Sequence, residues 1–155
     1  MSPYTREELV ALRGQWKRER KTVVLTNGCY DLLHPGHIGL LEAARSLGDV
    51  LILALNSDRS VRRSKGPGRP INSEMARGVL AASLLAVDAV VFFDEETPRE
   101  LIAALLPDLL VKGADWSHFI AGREEVEAAG GRVLTVPLET GFSTTNIVER
   151  ILALP

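Results

Sequence analysis

The stretch Thr26-Asn27-Gly28-Cys29-Tyr30-Asp31-Leu32-Leu33-His34-Pro35-Gly36-His37 joins an apolar run to a helix-like one. The preceding apolar residues predict a buried strand, Gly28 permits a tight turn, and Pro35 suits the first turn of a helix. The start of such a helix presents unpaired N–H groups and the positive end of the helix dipole near His34 and His37. This junction is therefore a candidate site for an anion such as phosphate.

The length and composition fit one globular domain. The chain has 155 residues, 46% hydrophobic and 25% charged, which is enough to bury roughly two thirds of the unfolded surface. Its 18 Lys and Arg residues nearly balance 20 Asp and Glu residues, giving a net charge of −2. Because no overall positive field exists to hold a nucleic acid backbone, we expect no nucleic-acid partner. A local basic cluster can still hold a small anion.

Cysteine content and hydropathy indicate the cellular compartment in which the protein is expected. Cys29 is the only cysteine, which excludes an internal disulfide and a zinc site built from several cysteines. No apolar run approaches the roughly 18 residues of a membrane span, and residues 1–8 are largely polar. We therefore expect a cytoplasmic protein with no membrane partner.

The hydrophobic pattern alternates between strands and helices. Thr5 and Glu8 predict a capping box for a helix ending near Lys17, within an N-terminal helical extension over 1–21, and 22–155 form the main domain. The predicted strands are 22–27, 50–55, 88–92, 109–112 and 132–136, and the predicted helices are 36–47, 73–85, 98–105, 122–129 and 144–153. This alternation indicates an α/β, Rossmann-like fold: a doubly wound, five-stranded parallel sheet with helices on both faces.

One segment has no clear strand or helix pattern. Residues 58–71 contain five Lys or Arg residues and two prolines. We predict a mobile basic loop there.

Polar residues gather where the predicted strands end. Open parallel sheets bind ligands beyond the carboxyl ends of their strands, where the strand order reverses. Three strands end in polar residues at 26–28, 56–58 and 112–115, so these groups should meet at one edge of the sheet. The segment Gly141-Phe142-Ser143-Thr144-Thr145 starts the last predicted helix and is expected at the same edge.

The two histidines admit three interpretations. Spaced three residues apart at a helix start, His34 and His37 point the same way and can both donate to phosphate oxygens. They can instead be exposed helix-cap residues, or zinc ligands, although His118 is the only other histidine. The flanking glycines and the strand-turn-helix context favour phosphate binding.

The other candidates each have a structural alternative. Residues 143–145 can hold phosphates or simply cap a helix. Lys112 follows an apolar strand and can face a ligand or merely end the strand. Arg77, on a helix, can be solvated or bind an anion. Cys29 is more typical of a small buried side chain than of a nucleophile.

Two separated motifs resemble those of the cytidylyltransferase-like nucleotidyltransferases. They are Asn27-Gly28-x-x-Asp31-x-x-His34-x-Gly36-His37 and Gly141-x-Ser143-Thr144-Thr145, and the resemblance runs from about residue 22 to the end. Within this superfamily the sequence is most similar to the adenylyltransferase domain of bacterial ADP-heptose synthases. That likeness includes the segments Asn56-Ser57-Asp58, Lys65-Gly66-Pro67, Arg69-Pro70-Ile71-Asn72 and Pro107-Asp108-Leu109-Leu110-Val111-Lys112-Gly113.

The resemblance implies transfer of AMP from ATP to D-glycero-β-D-manno-heptose 1-phosphate, a sugar 1-phosphate, giving pyrophosphate and ADP-heptose for lipopolysaccharide or a related glycan. The implied catalytic residues are His34, His37, Lys65 and Arg77. The implied nucleotide-binding residues are Thr26, Asn27, Gly28, Cys29, Tyr30, Gly36, His37, Lys112, Gly113, Asp115, Ser143, Thr144 and Thr145. The implied acceptor-binding residues are Asp31, Asn56 and Arg69. Mg²⁺ would bridge the ATP phosphates, held chiefly by phosphate oxygens and water and without a protein metal site.

The sequence departs from the family pattern in two ways. Many members carry a basic residue three positions after the last threonine of the second motif, where this chain has Val148; Arg150 lies roughly 200° further around the helix. One triphosphate cation is therefore expected to be missing or supplied from elsewhere. The sugar kinase often joined to this domain is absent from the sequence, so we expect a separate heptose kinase. We also expect a homodimer.

Two other functions remain open from the sequence. A CTP-using relative, such as a glycerol-3-phosphate cytidylyltransferase, shares both phosphate motifs. A nucleotide-binding module without turnover would share the fold, although a binder need not keep both His34 and His37.

Overall fold

A computed structural model describes residues 2–116 and 118–155 and shows an α/β fold. The strands are β1 (Val23–Gly28), β2 (Val50–Asn56), β3 (Ala89–Phe93), β4 (Leu109–Gly113) and β5 (Arg132–Val136). The helices are α1 (Arg6–Arg18), α2 (Pro35–Arg45), α3 (Asp58–Lys65), α4 (Glu74–Ala82), α5 (Arg99–Leu105), α6 (Arg123–Ala128) and α7 (Thr144–Leu152), with a short 3₁₀ turn at Ala114–Trp116.

All five strands form one parallel sheet in the order β3-β2-β1-β4-β5. The chain builds outward from β1 to β3, then returns to place β4 on the other side of β1. The strand order therefore reverses between β1 and β4, which is where such sheets bind ligands. The predicted fold class is confirmed, and each predicted strand lies within a residue or two of an observed one.

The core lies on both faces of the sheet. On one face α1, α5 and α6 contribute buried residues such as Leu9, Ile102 and Val126. On the other face α2 and α4 contribute Leu41 and Ala81. Because helices cover both faces, the strands are apolar on both sides, as the continuous hydrophobic runs predict.

The N-terminal segment is part of this packing. The predicted capping box is present: the Thr5 side chain accepts from the Glu8 backbone, and the Glu8 carboxylate accepts from the Thr5 backbone. Leu9 is completely buried in the core, and Tyr4 forms a parallel bridge with Val91 at the outer edge of β3. Residues of this segment, predicted as an N-terminal extension, thus pack in the core of the main sheet.

The prediction of a loop over 58–71 is wrong for its first half, because residues Asp58–Lys65 form α3. The Ser57 hydroxyl caps this helix by accepting from the Ser60 backbone, and Val61 is fully buried. Arg59 forms an ion pair with Asp94 across the surface. Most residues of α3 are basic or small and polar. Because Val61 is its only apolar residue, the helix shows no hydrophobic periodicity from which it could be predicted.

Candidate active site

A cavity of about 600 Å³ opens at the carboxyl ends of β1 and β4, between the starts of α2 and α7. Its volume suits a small-molecule ligand. Most of the predicted site residues line it: Thr26, Asn27, Gly28, Cys29, Tyr30, Asp31, His34, Gly36, His37, Asn56, Lys65, Arg69, Lys112, Gly113, Asp115, Ser143, Thr144 and Thr145. The structure therefore brings together residues more than a hundred positions apart in the chain.

The two histidines form a stacked pair at the start of α2. Their ring centroids are 3.7 Å apart with an interplanar angle of 16°, and the His37 ring also lies 4.6 Å from that of Tyr30. His34 is the N-cap of α2, and its Nδ1 accepts from the His37 backbone N–H at 3.3 Å. A Cβ at Gly36 would lie 3.1 Å from His34 Nδ1, so the intervening glycine leaves room for this ring.

Both imidazoles are held neutral at pH 7. Burial lowers the pKa of His37 to about 4, with a further contribution from neighbouring His34, while the Leu32 carbonyl acts in the opposite direction. Burial also lowers the pKa of His34. Because neutral His34 accepts at Nδ1, its proton resides on Nε2, which leaves Nε2 as a hydrogen-bond donor.

In the turn between β1 and α2, the residue with a left-handed backbone conformation is Tyr30 and not a glycine. Tyr30 has φ +48°, an uncommon conformation for a residue with a side chain. Gly28 is needed for space, because a Cβ there would lie 2.9 Å from the Tyr30 ring. Burial raises the pKa of the Tyr30 phenol, which lies beside the Thr26 hydroxyl. A left-handed non-glycine residue at a ligand cavity is typical of functional sites.

The start of α7 faces the same cavity. The Ser143 side chain caps the helix by accepting from the Asn146 backbone N–H at 3.0 Å. The Thr144 hydroxyl donates to the Leu32 carbonyl at 3.4 Å, which ties α7 to the segment preceding His34. The two sequence motifs therefore converge, and the N-termini of α2 and α7 present positive dipole ends to one cavity.

Two lysines, Lys65 and Lys112, also line the cavity. The side chain of Lys65, at the end of α3, has no hydrogen-bond or ion-pair partner among the described residues. Lys112, at the end of β4, donates to the Asn27 carbonyl at 3.2 Å and to Asn27 Oδ1 at 3.1 Å. Burial lowers the pKa of Lys112 to about 8, partly opposed by Asp115 and Cys29.

Arg77, which the family resemblance implies as a catalytic residue, is not among the residues that line the cavity. Its side chain is fully buried, and it donates to the Cys29 carbonyl at 2.7 Å and to the Asn72 carbonyl at 3.1 Å. It also pairs with Asp58 at 2.9 Å. The guanidinium thus joins the turn after β1 to α3 and to the segment before α4.

The Asp31 carboxylate likewise bonds to other groups of the protein. The carboxylate is completely buried and accepts from Arg69 Nε at 2.6 Å and from the backbone N–H groups of Ile71 and Asn72 at 2.8 Å. Burial acts to raise its pKa, but these hydrogen bonds outweigh that effect and lower it. The pair Asp31–Arg69 therefore anchors the segment after α3 beside the cavity.

Two further predicted residues contact each other and α3. The Cys29 thiol donates to Asn56 Oδ1 at 3.7 Å, and Asn56 Nδ2 donates to the Ser60 hydroxyl at 3.0 Å. Burial raises the pKa of Cys29, which keeps it protonated at pH 7 despite nearby Lys65, Arg69 and Arg77. This agrees with the interpretation of Cys29 as a small packed side chain.

Sequence reasoning missed one wall of the cavity. It is formed by Phe93 at the end of β3, by Glu96, Thr97 and Pro98 in the following loop, and by Phe119 to Ala121 after the 3₁₀ turn. The Asp94–Arg59 and Glu95–Arg6 ion pairs hold the first of these loops in place. Its position beyond the carboxyl end of a strand is the signal that could have identified it.

Neither a membrane span nor a metal cluster is found where the structure describes the chain. Across 2–116 and 118–155, no helix is long and apolar enough to cross a membrane. The same residues contain no group of three or more His, Cys, Asp or Glu side chains placed to hold a metal ion.

A doubly wound parallel sheet whose switch point carries a histidine pair and a second, hydroxyl-bearing helix start defines a Rossmann-like nucleotidyltransferase. The chain belongs to the cytidylyltransferase-like family, whose model matches residues 25–150.

Curated relatives and a solved structure agree with this assignment. The chain is 54% identical over 147 residues to bifunctional protein HldE of Koribacter versatilis, covering 94% of this chain and 30% of that protein. It is 48% identical over 151 residues to bifunctional protein HldE of Haemophilus ducreyi, covering 97% of this chain and 32% of that protein. The chain therefore spans about a third of the length of these relatives.

The crystal structure of the lipopolysaccharide core biosynthesis protein from Thermoplasma volcanium has a similar fold. It superposes with a TM-score of 0.63 and 27% identity, covering 77% of this chain and 97% of that one.

Proposed function

We propose that this chain transfers AMP from ATP to a sugar 1-phosphate, D-glycero-β-D-manno-heptose 1-phosphate, giving ADP-heptose and pyrophosphate. The observation that carries the proposal is the convergence of the His34–His37 pair and the Ser143–Thr145 turn on one cavity. Identities of 54% and 48% to two HldE proteins support the choice of acceptor, together with the resemblance of the sequence motifs to those of ADP-heptose synthases.

The proposed reaction is a single in-line displacement. An oxygen of the sugar phosphate forms a bond to the α-phosphorus of ATP, and the bond from that phosphorus to the bridging oxygen of the β-phosphate breaks. The electron pair leaves with pyrophosphate, and no bond to the protein forms. The protein therefore acts by positioning reactants and stabilising the charge that develops on oxygen.

The histidine pair is proposed to contact the reacting phosphate. Because both rings are neutral at pH 7, they act as hydrogen-bond donors and not as fixed cations. The Nε2–H of His34 is one such donor. Donors held rigid by ring stacking stabilise the transition state more than mobile water does, because they do not have to reorient during the reaction.

The triphosphate is proposed to lie between the start of α7 and Lys65. The start of α7 would hold the β- and γ-phosphates through Ser143, Thr144 and Thr145. Lys65 would reach pyrophosphate or the sugar phosphate, and Asp115 would lie near the base and ribose. Neither Val148 nor Arg150 lines the cavity within the described residues, so Lys65 is the proposed replacement for the family's missing cation.

The nucleotide is proposed to contact the turn 26–30, and the acceptor to contact Asn56 and the exposed edge of Arg69. Asp31 and Arg77 are proposed as positioning residues, since their charges are already paired within the protein. They shape the cavity without touching substrate.

Mg²⁺ is the proposed cofactor. Because the described residues offer no cluster of carboxylates, the ion would be held by phosphate oxygens and water, an arrangement that Mg²⁺ favours. When bound, it would neutralise phosphate charge.

The cellular setting follows from this chemistry. ATP as substrate and a single reduced cysteine support a cytoplasmic location. A sugar kinase must supply the 1-phosphate, and the product would serve lipopolysaccharide synthesis. Exposed apolar side chains on α4, among them Met75 and Val79, support a homodimer.

A substrate panel tests the proposal. The purified chain is offered ATP or CTP with heptose 1-phosphate, other sugar 1-phosphates and glycerol 3-phosphate, and pyrophosphate release is measured. We expect release only with ATP and the heptose phosphate. Preference for CTP and a polyol phosphate would assign the chain to the cytidylyltransferase alternative, and nucleotide binding without release would indicate a non-catalytic module.

A further inference from the structure

The two central strands separate at the cavity. β1 pairs with β2 along its whole length, from Val23–Val50 to Gly28–Leu55. In contrast, β1 pairs with β4 only through Val24–Leu109 and Leu25–Leu110. β4 remains paired with β5 up to Gly113–Val136. The sheet therefore splits between residues 26–28 and 111–113, at the point where the strand order reverses.

Lys112 crosses this split. If the β1–β4 ladder continued in register, Asn27 would lie opposite Lys112, since the existing pairs are also 85 residues apart. The backbones do not pair there. Instead, the Lys112 ammonium group donates to the Asn27 carbonyl at 3.2 Å and to Asn27 Oδ1 at 3.1 Å. A side chain thus supplies hydrogen bonds where the ladder ends.

We propose that Lys112 is a positioning residue that bridges β1 and β4 through Asn27 and thereby holds the turn 27–30 in the conformation that binds nucleotide. This inference rests on the proposed nucleotide binding. It replaces the expectation that Lys112 is a phosphate cation, because two of its N–H groups are already directed at Asn27 oxygens.

The surroundings of Lys112 suit a bridge better than a phosphate ligand. Burial lowers its pKa, and Asp115 from the 3₁₀ turn and Cys29 from the turn after β1 oppose that shift in part. The phosphate-directed groups lie instead at the starts of α2 and α7. Charge-assisted hydrogen bonds from a buried ammonium are stronger than neutral ones, which favours a fixed strand separation.

A double-mutant cycle tests the coupling. ATP dissociation constants are measured by calorimetry for the wild type, Lys112→Met, Asn27→Ala and the double variant. As a control, Lys65→Met, which removes another cavity lysine, is measured alone and combined with Asn27→Ala. We expect Lys112→Met to weaken ATP binding about tenfold, because small displacements of binding groups are costly. The effect of Asn27→Ala should shrink at least threefold in the Lys112→Met background but persist in the Lys65→Met background.

Two outcomes of the cycle would overturn the proposal. If Asn27→Ala weakens binding equally in both backgrounds, Lys112 contacts the nucleotide directly. If Lys112→Met leaves ATP affinity unchanged, the bridge has no role in binding. Should Lys112→Met fail to fold, Lys112→Gln, which keeps a donor without the charge, takes its place.

Hydrogen exchange separates this proposal from the proposed function. Without any nucleotide, the amides of 26–28 and 111–113 should exchange faster in Lys112→Met than in the wild type or Lys65→Met. Equal rates would refute the bridge. If the wild type binds neither ATP nor CTP, the proposed function fails, and the exchange data still test the bridge.

The pH profile supplies a readout that a purely structural role would not change. As pH rises through about 8, Lys112 loses its charge and the bridge weakens, so kcat/KM for ATP should fall. Lys112→Met should lack this step. Persistence of the step in that variant would contradict the assignment.

Discussion

Replacing His37 by alanine tests the proposed role of the histidine pair. The ring stacks on His34 at 3.7 Å and lies 4.6 Å from Tyr30, so the substitution removes two aromatic contacts together with one donor. Loss of a donor aligned with developing charge lowers kcat by about 10²–10³, or about 2.7–4 kcal/mol. We expect a decrease in that range at pH 7.

Stability should also fall, but by less. Two ring contacts worth about 0.5–1.5 kcal/mol each give a loss of about 1–3 kcal/mol in the free energy of unfolding. For a chain of this size, that lowers Tm by roughly 2–12 °C. Activity is measured as pyrophosphate release at 25 °C, where both proteins remain folded, and Tm by calorimetry.

Ala44→Gly provides the matched control. Ala44 is fully buried in the last turn of the same helix α2 and does not line the cavity. Its replacement by glycine removes a buried methyl group, at a cost of about 1 kcal/mol. This variant should lose stability and keep kcat. If Ala44→Gly lost activity in step with His37→Ala, the effect would arise from a weakened helix, and the reasoning about donors would be refuted.

Three other substitutions or conditions give separate outcomes. Asp31→Asn should lower the free energy of unfolding by about 2–3 kcal/mol in urea denaturation, because a buried charge-assisted pair with Arg69 is lost; unchanged stability with lost activity would indicate direct substrate contact. Stability should fall by about 1–2 kcal/mol between pH 6.5 and 4, because unfolded His37 binds a proton there and folded His37 does not; an equal slope in His37→Asn would contradict this. Ser143→Ala should lower stability by about 1 kcal/mol through loss of the α7 cap and raise KM for ATP, measured by steady-state kinetics; an unchanged KM would separate the cap from phosphate binding.

The sequence identifies the elements whose signals are local. The apolar run before Thr26 and the proline after His34 predict β1 and α2, and both are confirmed. The second motif predicts the start of α7 at Thr144, which is also confirmed. These features depend on neighbouring residues alone, which is why they can be read without coordinates.

The parts that sequence reasoning missed depend on distant partners. Arg77 is recognisable as buried only once Asp58 and the Cys29 carbonyl are known to lie beside it. The Asp31 carboxylate accepts hydrogen bonds from residues that lie 38 to 41 positions further along the chain. Since neither pairing leaves a periodic pattern, the spacing of charges could not distinguish a substrate ligand from an internal ion pair.

The contact of Tyr4 with Val91 has a consequence for preparing fragments of this domain. A chain trimmed to begin at residue 22 would lose that bridge and would also lose Leu9 from the interior. β3 would then present a row of unpaired backbone groups to other molecules, the usual template for intermolecular strand pairing. Aggregation of such a truncated product would result from the exposed edge of β3, and would not indicate that the residues proposed for catalysis are inactive.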